Sequence, residues 1–437
     1  MSQPLTGEQR TARPGGANAI GFKTLLGTTL AVLAALAMSP TTYDYLILSF
    51  SGLRLPMGTA AFGAFVGLTA ILLVSGQINR RGMVAIMLLL AVSFGLAMTS
   101  LWSESTIYLQ LKLPLVLGIP ALLFGAGFYL AATGHLRHFA VVACTLCSFL
   151  LLGIWIFGVD QIVGFQTGLE EEFGGRYQSI SRVMAVAAVM FAALGLSAQK
   201  LQTKALLLGT SAVLLLQVLY TGGRVGLLII AIALPLVYLS TINPRWRLAM
   251  IVGFLSLATF FVVSVDLVTV ASAIWPGDLP LTIQRVLIDY ASETAGTYSL
   301  LDRANLWRLA FELWNENPIF GVGLAGFPVN AGIGDTLGIY PHNIILELAS
   351  ETGIFGLFLF LAFVCMVLLA RPIAPIDRQS QLIATGLLAS GVAISGVISD
   401  FGLQRELFMG LGLYFGLKFP DSAVAKQVVR KADHRTG

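Results

Sequence analysis

The chain has 437 residues, of which 57% are hydrophobic and only 11% charged, with a formal net charge of +4. That balance excludes an ordinary soluble domain and describes a multi-span helical membrane protein. The basic excess follows membrane orientation and gives no evidence for nucleic-acid binding.

Apolar runs of spanning length are predicted near 22–39, 57–76, 82–101, 113–133, 139–158, 180–197, 205–220, 225–241, 248–266, 353–370, 382–400 and 406–418. The expected fold is all-α: a polytopic bundle of about 12 transmembrane helices. Loop charge supports an even number of spans. With the N-terminus inside, the cytoplasmic segments hold Arg10, Arg13, Lys23, Arg80, Arg81, Arg137, Lys200, Lys204, Arg245, Arg247, Arg371, Arg378 and the basic residues of 418–435. These are 17 of the 26 basic residues, against four of the 22 acidic ones (Glu8, Asp377, Asp421 and Asp433). The chain therefore reads as one integral-membrane domain over 1–437, with cytoplasmic tails at 1–21 and 419–437. No convincing small-residue cleavage site follows Met38-Ser-Pro40, so the first run is expected to remain as a span. Cys144-Thr-Leu-Cys147 has redox or metal spacing but lies in an apolar run without polar partners, which predicts packed thiols.

Two outer loops are long, 159–179 and 267–352, and the second is large enough for a folded subdomain. Within it, Leu301–Trp314 predicts an amphipathic helix with Leu306, Leu309, Ala310, Leu313 and Trp314 on its apolar stripe. Arg303 and Arg308 lie elsewhere on its surface, and Pro318 after Asn317 ends it. The string Gly321-Val-Gly323-Leu-Ala-Gly326 imitates a dinucleotide loop, but no βαβ unit surrounds it and it faces away from the nucleotide-bearing compartment. A turn that lets backbone approach backbone closely is the better reading.

Arg224 stands at the outer mouth of a span, Arg176 and Arg182 flank the entry to another, and Arg303 and Arg308 sit in the large loop. Taken singly, each is explained by pairing with an acid such as Glu170, Glu171, Glu172 or Asp302. Taken together near a histidine, they suggest a site for phosphate groups, which guanidinium binds in bidentate fashion. Among the four histidines, His342 alone lies away from basic clusters. Pro341 is favoured in a first helical turn, which places His342 at a helix N-terminus, where the macrodipole keeps the ring neutral and able to accept a proton. Alone, it is better read as a capping or interfacial residue without chemistry. Asn343, Glu347 and Glu351 recur every four residues on one helical face, with His342 about 100° away. The two acids are thus expected to pair with arginines or cap neighbouring segments. No His/Asp/Glu spacing supports a metal site.

His342-Asn343, nine residues (Ile344 to Thr352) and Gly353-Ile-Phe-Gly356 resemble the marker of the bacterial O-antigen ligase and O-antigen polymerase superfamily. Asn317-Pro-Ile-Phe-Gly-Val-Gly323, Arg303-Ala-Asn-Leu-Trp307 and Thr221-Gly-Gly-Arg224 are also similar to that family's loop and span start. The resemblance is strong over roughly 300–370 and looser from 176 to 230. It implies a GT-C-like helical glycosyltransferase of the bacterial inner membrane, with its active site on the periplasmic side and no metal or other cofactor. The implied donor is a glycan on undecaprenyl diphosphate, and the implied acceptor is lipid A-core or another glycan, with inversion at the anomeric carbon. His342 would be the general base or position the acceptor, and Arg224 and Arg303 would bind the diphosphate. Arg176, Arg182, Arg308 and Asn343 are the further substrate-binding candidates. Arg182 stands where many relatives carry a polar uncharged residue. A ligase and a polymerase share this chemistry. A flippase would carry polar residues through the depth of several spans, and a non-catalytic scaffold of a polysaccharide-assembly complex is the remaining reading.

Overall fold

A computed structural model describes residues 16–38, 42, 57–157, 176–221, 223–242, 280, 282–283, 298–337, 339–397, 401–422 and 424–425. These residues form α-helices with short 3₁₀ turns, and no strand occurs among them. In chain order the helices are α1 (Gly16–Ala37), α2 (Met57–Val74), α3 (Arg80–Met98), α4 (Ile107–Ala132), α5 (Leu136–Phe157), α6 (Arg176–Ser197), α7 (Leu201–Tyr220) and α8 (Arg224–Ser240). They continue with α9 (Tyr298–Glu316), α10 (Phe327–Asn330), α11 (Ile344–Leu369), α12 (Arg378–Ser395) and α13 (Arg405–Lys418). Each apolar run read from the sequence coincides with one of these helices except 248–266, which lies outside the described residues, as do 158–175 and most of 267–297. Six described helices are long and apolar enough to cross a membrane: Arg80–Trp102, Ile107–Ala132, Leu136–Ile156, Gln178–Ser197, Leu201–Tyr220 and Ile344–Leu369. The chain is an integral membrane protein. The first helix starts at Gly16, inside the segment read as a tail.

Polar contacts fix which helix ends meet. Phe401 N–H donates to Glu347 near the start of α11, and Lys418 Nζ donates to the carbonyls of Val367 and Leu368 near its end, so α11 and α13 run parallel. The start of α4 also meets Glu347 and Glu351, whereas its last carbonyl, Ala132 O, accepts from Asp421 N–H. Arg182 near the start of α6 pairs with Glu406, and the Ser181 hydroxyl donates to Gly223 O just before α8. The Asn343 amide donates to Gly396 O at the end of α12. One end of the bundle therefore gathers the starts of α4, α6, α8, α11 and α13. The opposite end gathers Arg80, Arg81, Arg137, Lys200, Arg371, Arg378 and Lys418, the charge segregation expected of a membrane-oriented bundle.

Small residues let the centre pack tightly. A Cβ on Gly412 would overlap the Phe124 carbonyl, and one on Gly127 the Met409 carbonyl, so α13 lies directly on α4. Cys144 and Cys147 are buried thiols in the same core, as their apolar setting predicts. At the other extreme, α9 packs Ala310 and Leu313 against Val322 and Phe327, with Leu306, Leu309 and Leu346 around them. That small second core holds α9 and the Val322–Phe327 segment against the start of α11.

Candidate functional site

The centre of the site is a break in α11. Gly353 has φ 64° and ψ −164°, outside helical space and in a region open chiefly to glycine. In an unbroken helix, the N–H groups of Ile354 and Phe355 would bond the carbonyls of Ser350 and Glu351. The break separates those four groups, and residues 318–323 fill the gap. Val322 N–H donates to Ser350 O (2.9 Å) and Gly323 N–H to Glu351 O (2.8 Å). In return, Ile354 N–H donates to Pro318 O (2.8 Å) and Phe355 N–H to Ile319 O (3.1 Å). A Cβ on Gly353 would overlap the Ile319 carbonyl, and one on Gly321 (φ 66°) the Glu351 carbonyl. The glycine-rich string is thus a backbone-to-backbone splice, and buried backbone groups that a kink would orphan are satisfied by it.

A buried charge cluster lies beneath the splice. Lys112 of α4 places Nζ 2.6 Å from Glu347 Oε1 and 2.7 Å from Glu351 Oε2, with all three side chains almost wholly buried. Glu351 Oε2 also accepts from Ala325 N–H (3.0 Å), and Glu347 Oε1 from Phe401 N–H (3.1 Å). The sequence separated these acids from His342 and assigned them arginine partners or capping roles. The bonds to Ala325 N–H and Phe401 N–H are such caps of neighbouring segments. A cation in contact with both acids is Lys112, a lone charge at the edge of an apolar run that lies more than two hundred residues from them in sequence.

His342 is not on the helix. Asn343 is the N-cap of α11, its Oδ1 accepting from Ile345 N–H (3.0 Å) and Leu346 N–H (3.2 Å), so the helical-wheel angle between His342 and the acids does not apply. His342 takes a left-handed φ of 54°, as does Ala325 at 63°, an uncommon conformation for side-chain-bearing residues. Both flanks hold it there. Asn343 ties one side to Gly396, while Asp335 ties the other to the start of α4. The Asp335 carboxylate accepts from the hydroxyls of Ser105 and Thr106 and from the N–H groups of Thr106, Ile107 and Tyr108. Those donors, led by Ile107 N–H, hold its carboxyl well below the usual carboxylate range.

The imidazole is half-buried, its centroid 4.3 Å from the Tyr340 ring, and its Nδ1 is buried without a hydrogen-bond partner among the described residues. Burial, with the Arg303 guanidinium second, pushes its pKa down to about 4. The ring is therefore neutral at pH 7, as the sequence led one to expect, but desolvation and Arg303 cause this, since the helix begins two residues later at Ile344.

The candidate arginines divide. Arg303 is half-buried on α9 within electrostatic reach of His342. Arg224 opens α8 at the same end of the bundle and is also half-buried. Arg182 places Nε 3.2 Å from Glu406 Oε1, a carboxylate absent from the acids the sequence offered as partners. Arg405, a residue the sequence reading passed over, donates to Ala37 O, lies over the Phe62 ring and repels Arg182 electrostatically. Arg308 is exposed and pairs along its own helix with Glu312 at 2.6 Å. Arg176 opens α6, and its side chain lies outside the described residues.

Residues 209–361 match the family described as O-Antigen ligase. The matched stretch takes in Arg224, Arg303, Arg308, His342, Asn343 and the Gly353 break, and leaves Lys112, Arg176, Arg182 and Arg405 outside. No curated protein matches the chain.

Proposed function

We propose that the chain, whose residues 209–361 match the O-antigen ligase family, is a membrane glycosyltransferase of the O-antigen ligase and polymerase superfamily, moving a glycan from undecaprenyl diphosphate to an acceptor hydroxyl. The His342 end of the bundle faces the periplasm in this reading, with about 12 spans and both termini in the cytoplasm. The observation that carries the site assignment is the neutral His342, whose buried Nδ1 lacks a partner, beside Arg303.

A lipid diphosphate is already an activated leaving group, so two tasks remain: stabilising the departing negative charge and removing a proton from the attacking hydroxyl. Arg303 and Arg224 carry out the first through charge-assisted, bidentate hydrogen bonds. His342 carries out the second as general base, and in-line attack inverts the anomeric configuration. The low pKa of His342 makes it a weak base in the empty site. Donor binding corrects this, because a diphosphate on Arg303 cancels the positive charge that disfavours the imidazolium. The base thus strengthens only when the donor is in place, and the acceptor hydroxyl is activated at that moment. Arg182 and Asn343 act beside this centre, holding the ends of α13 and α12 that frame it.

The acceptor is taken to be lipid A-core or a similar glycan, which makes the enzyme a ligase. Purified protein supplied with undecaprenyl-diphosphate glycan and either lipid A-core or a second lipid-linked repeat tests this. Transfer en bloc to lipid A-core is expected. Elongation of the lipid-linked chain in its place would make the enzyme a polymerase, and turnover of neither substrate would overturn the reading.

A further inference from the structure

At the end of the bundle opposite His342, a cleft of about 740 Å³ opens between the starts of α5, α7 and α12 and the end of α6. Three cations line it: Arg137, Lys200 and Arg378, all exposed and none paired with a carboxylate among the described residues. The one acid in the lining, Asp377, is already committed, its Oδ2 accepting from Ser380 N–H (3.0 Å) and the Ser380 hydroxyl (3.1 Å) as the cap of α12. The start of α7 is different: its N-cap is Lys200, which makes no side-chain capping bond. The first N–H groups of that helix, with Thr203 beside them, add a partial positive charge where three full ones already stand. Below this rim the wall turns apolar at Val141 and Leu207, on helices that are themselves candidate spans.

We propose that this cleft binds the phosphodiester headgroup of an anionic glycerophospholipid, with its acyl chains leaving along Val141 and Leu207. The rim supplies more positive charge than its own acids neutralise, and an uncapped helix start offers free N–H donors to phosphate oxygens. The apolar wall favours a lipid over a free anion, because a soluble phosphate gains nothing from it. Basic clefts between spans on the cytoplasmic side take lipid headgroups on the same electrostatic grounds. The site lies at the far end from His342 and needs nothing from the transfer reaction, so it stands or falls independently of the proposed function.

The test uses the full chain in detergent, titrated with phosphatidylglycerol, phosphatidylcholine and inorganic phosphate, and read by native mass spectrometry and thermal unfolding. Phosphatidylglycerol is expected to stay bound and raise the unfolding temperature, and phosphatidylcholine to do neither. R137Q, K200Q and R378Q are each expected to weaken phosphatidylglycerol binding about fivefold, at the energy a headgroup-proximal cation typically contributes. R371Q removes an exposed cation at the same end that does not line the cleft, and is expected to change nothing. Equal stabilisation by inorganic phosphate would replace the lipid with a free anion. Loss of binding in R371Q as large as in R378Q would reduce the cleft to general surface charge, and equal retention of phosphatidylcholine would remove the headgroup from the argument.

Discussion

Lys112 on α4 lies 2.7 Å from Glu351 on α11, and the carboxylate oxygen it meets is the one that accepts the Ala325 N–H. One contact therefore joins a spanning helix, the kinked helix and the glycine-rich loop, and holds Ala325 in its left-handed conformation. Glu347 extends the same lysine to Phe401 and so to the start of α13.

Removing the lysine alone takes the buried ammonium away from both of the buried carboxylates it contacts. Lys112→Met is expected to destabilise the protein by about 3–5 kcal/mol, the usual cost of breaking a buried ion pair from one side. Adding Glu351→Gln to that variant should recover part of the loss, since one of the two buried negative charges disappears. Thermal or denaturant unfolding in detergent measures both. A single variant as stable as the parent would show that the cluster is not held as an ion pair.

The splice at Gly353 predicts an effect on a different scale. Gly353→Ala adds a Cβ that overlaps the Ile319 carbonyl at a backbone angle alanine tolerates poorly, so strain and lost space act together. The four hydrogen bonds between 318–323 and 350–355 should loosen as a unit. Hydrogen exchange at Val322, Gly323, Ile354 and Phe355 is expected to accelerate together in the variant, while exchange in α6 stays as it was. Independent changes at the four amides would argue against a single splice.

The helices were legible because hydropathy at spanning length is a strong local signal, and loop charge sorted their ends without any knowledge of contacts. The His342–Gly356 spacing was legible too, but its reason was not. Nothing local reveals that Gly353 breaks a helix so that residues thirty positions earlier can enter it. Lys112 was missed on the same ground: an isolated lysine bordering an apolar run looks like an anchor until two acids from a distant helix arrive. The assignment of His342 to a helical turn failed by two residues, because Asn343 competes better for the cap than Pro341 does for the first turn. Arg308 illustrates the opposite outcome, since the bland reading, pairing with an acid, holds there, with Glu312 on its own helix as the acid.

The charge coupling between His342 and Arg303 sets the expected pH behaviour. The folded-state pKa of His342, about 4, lies below its ordinary value of 6.5. The unfolded chain therefore binds the proton more readily, and the stability contributed by the neutral ring is complete above 6.5 and lost as pH falls from there towards 4. Arg303→Gln removes the second cause of the shift and is expected to raise the His342 pKa, measured by NMR titration of ring-labelled protein. Adding undecaprenyl diphosphate to the parent should raise it in the same direction. No movement in either case would uncouple the base from the donor.

His342→Ala is expected to lower the transfer rate by roughly 10²–10⁴-fold, the range of general-base catalysis, with donor binding largely kept. Arg224 separates two roles for a cation at this end of the bundle. Arg224→Ala should abolish transfer, and Arg224→Lys should fail to restore it, because an ammonium offers a point charge where a diphosphate takes two parallel guanidinium bonds. Steady-state rates at saturating donor, set beside donor affinity, tell the cases apart. Restored transfer in the lysine variant would assign Arg224 a general electrostatic role, whereas a loss confined to affinity would place it on the donor's ground state and away from the departing charge.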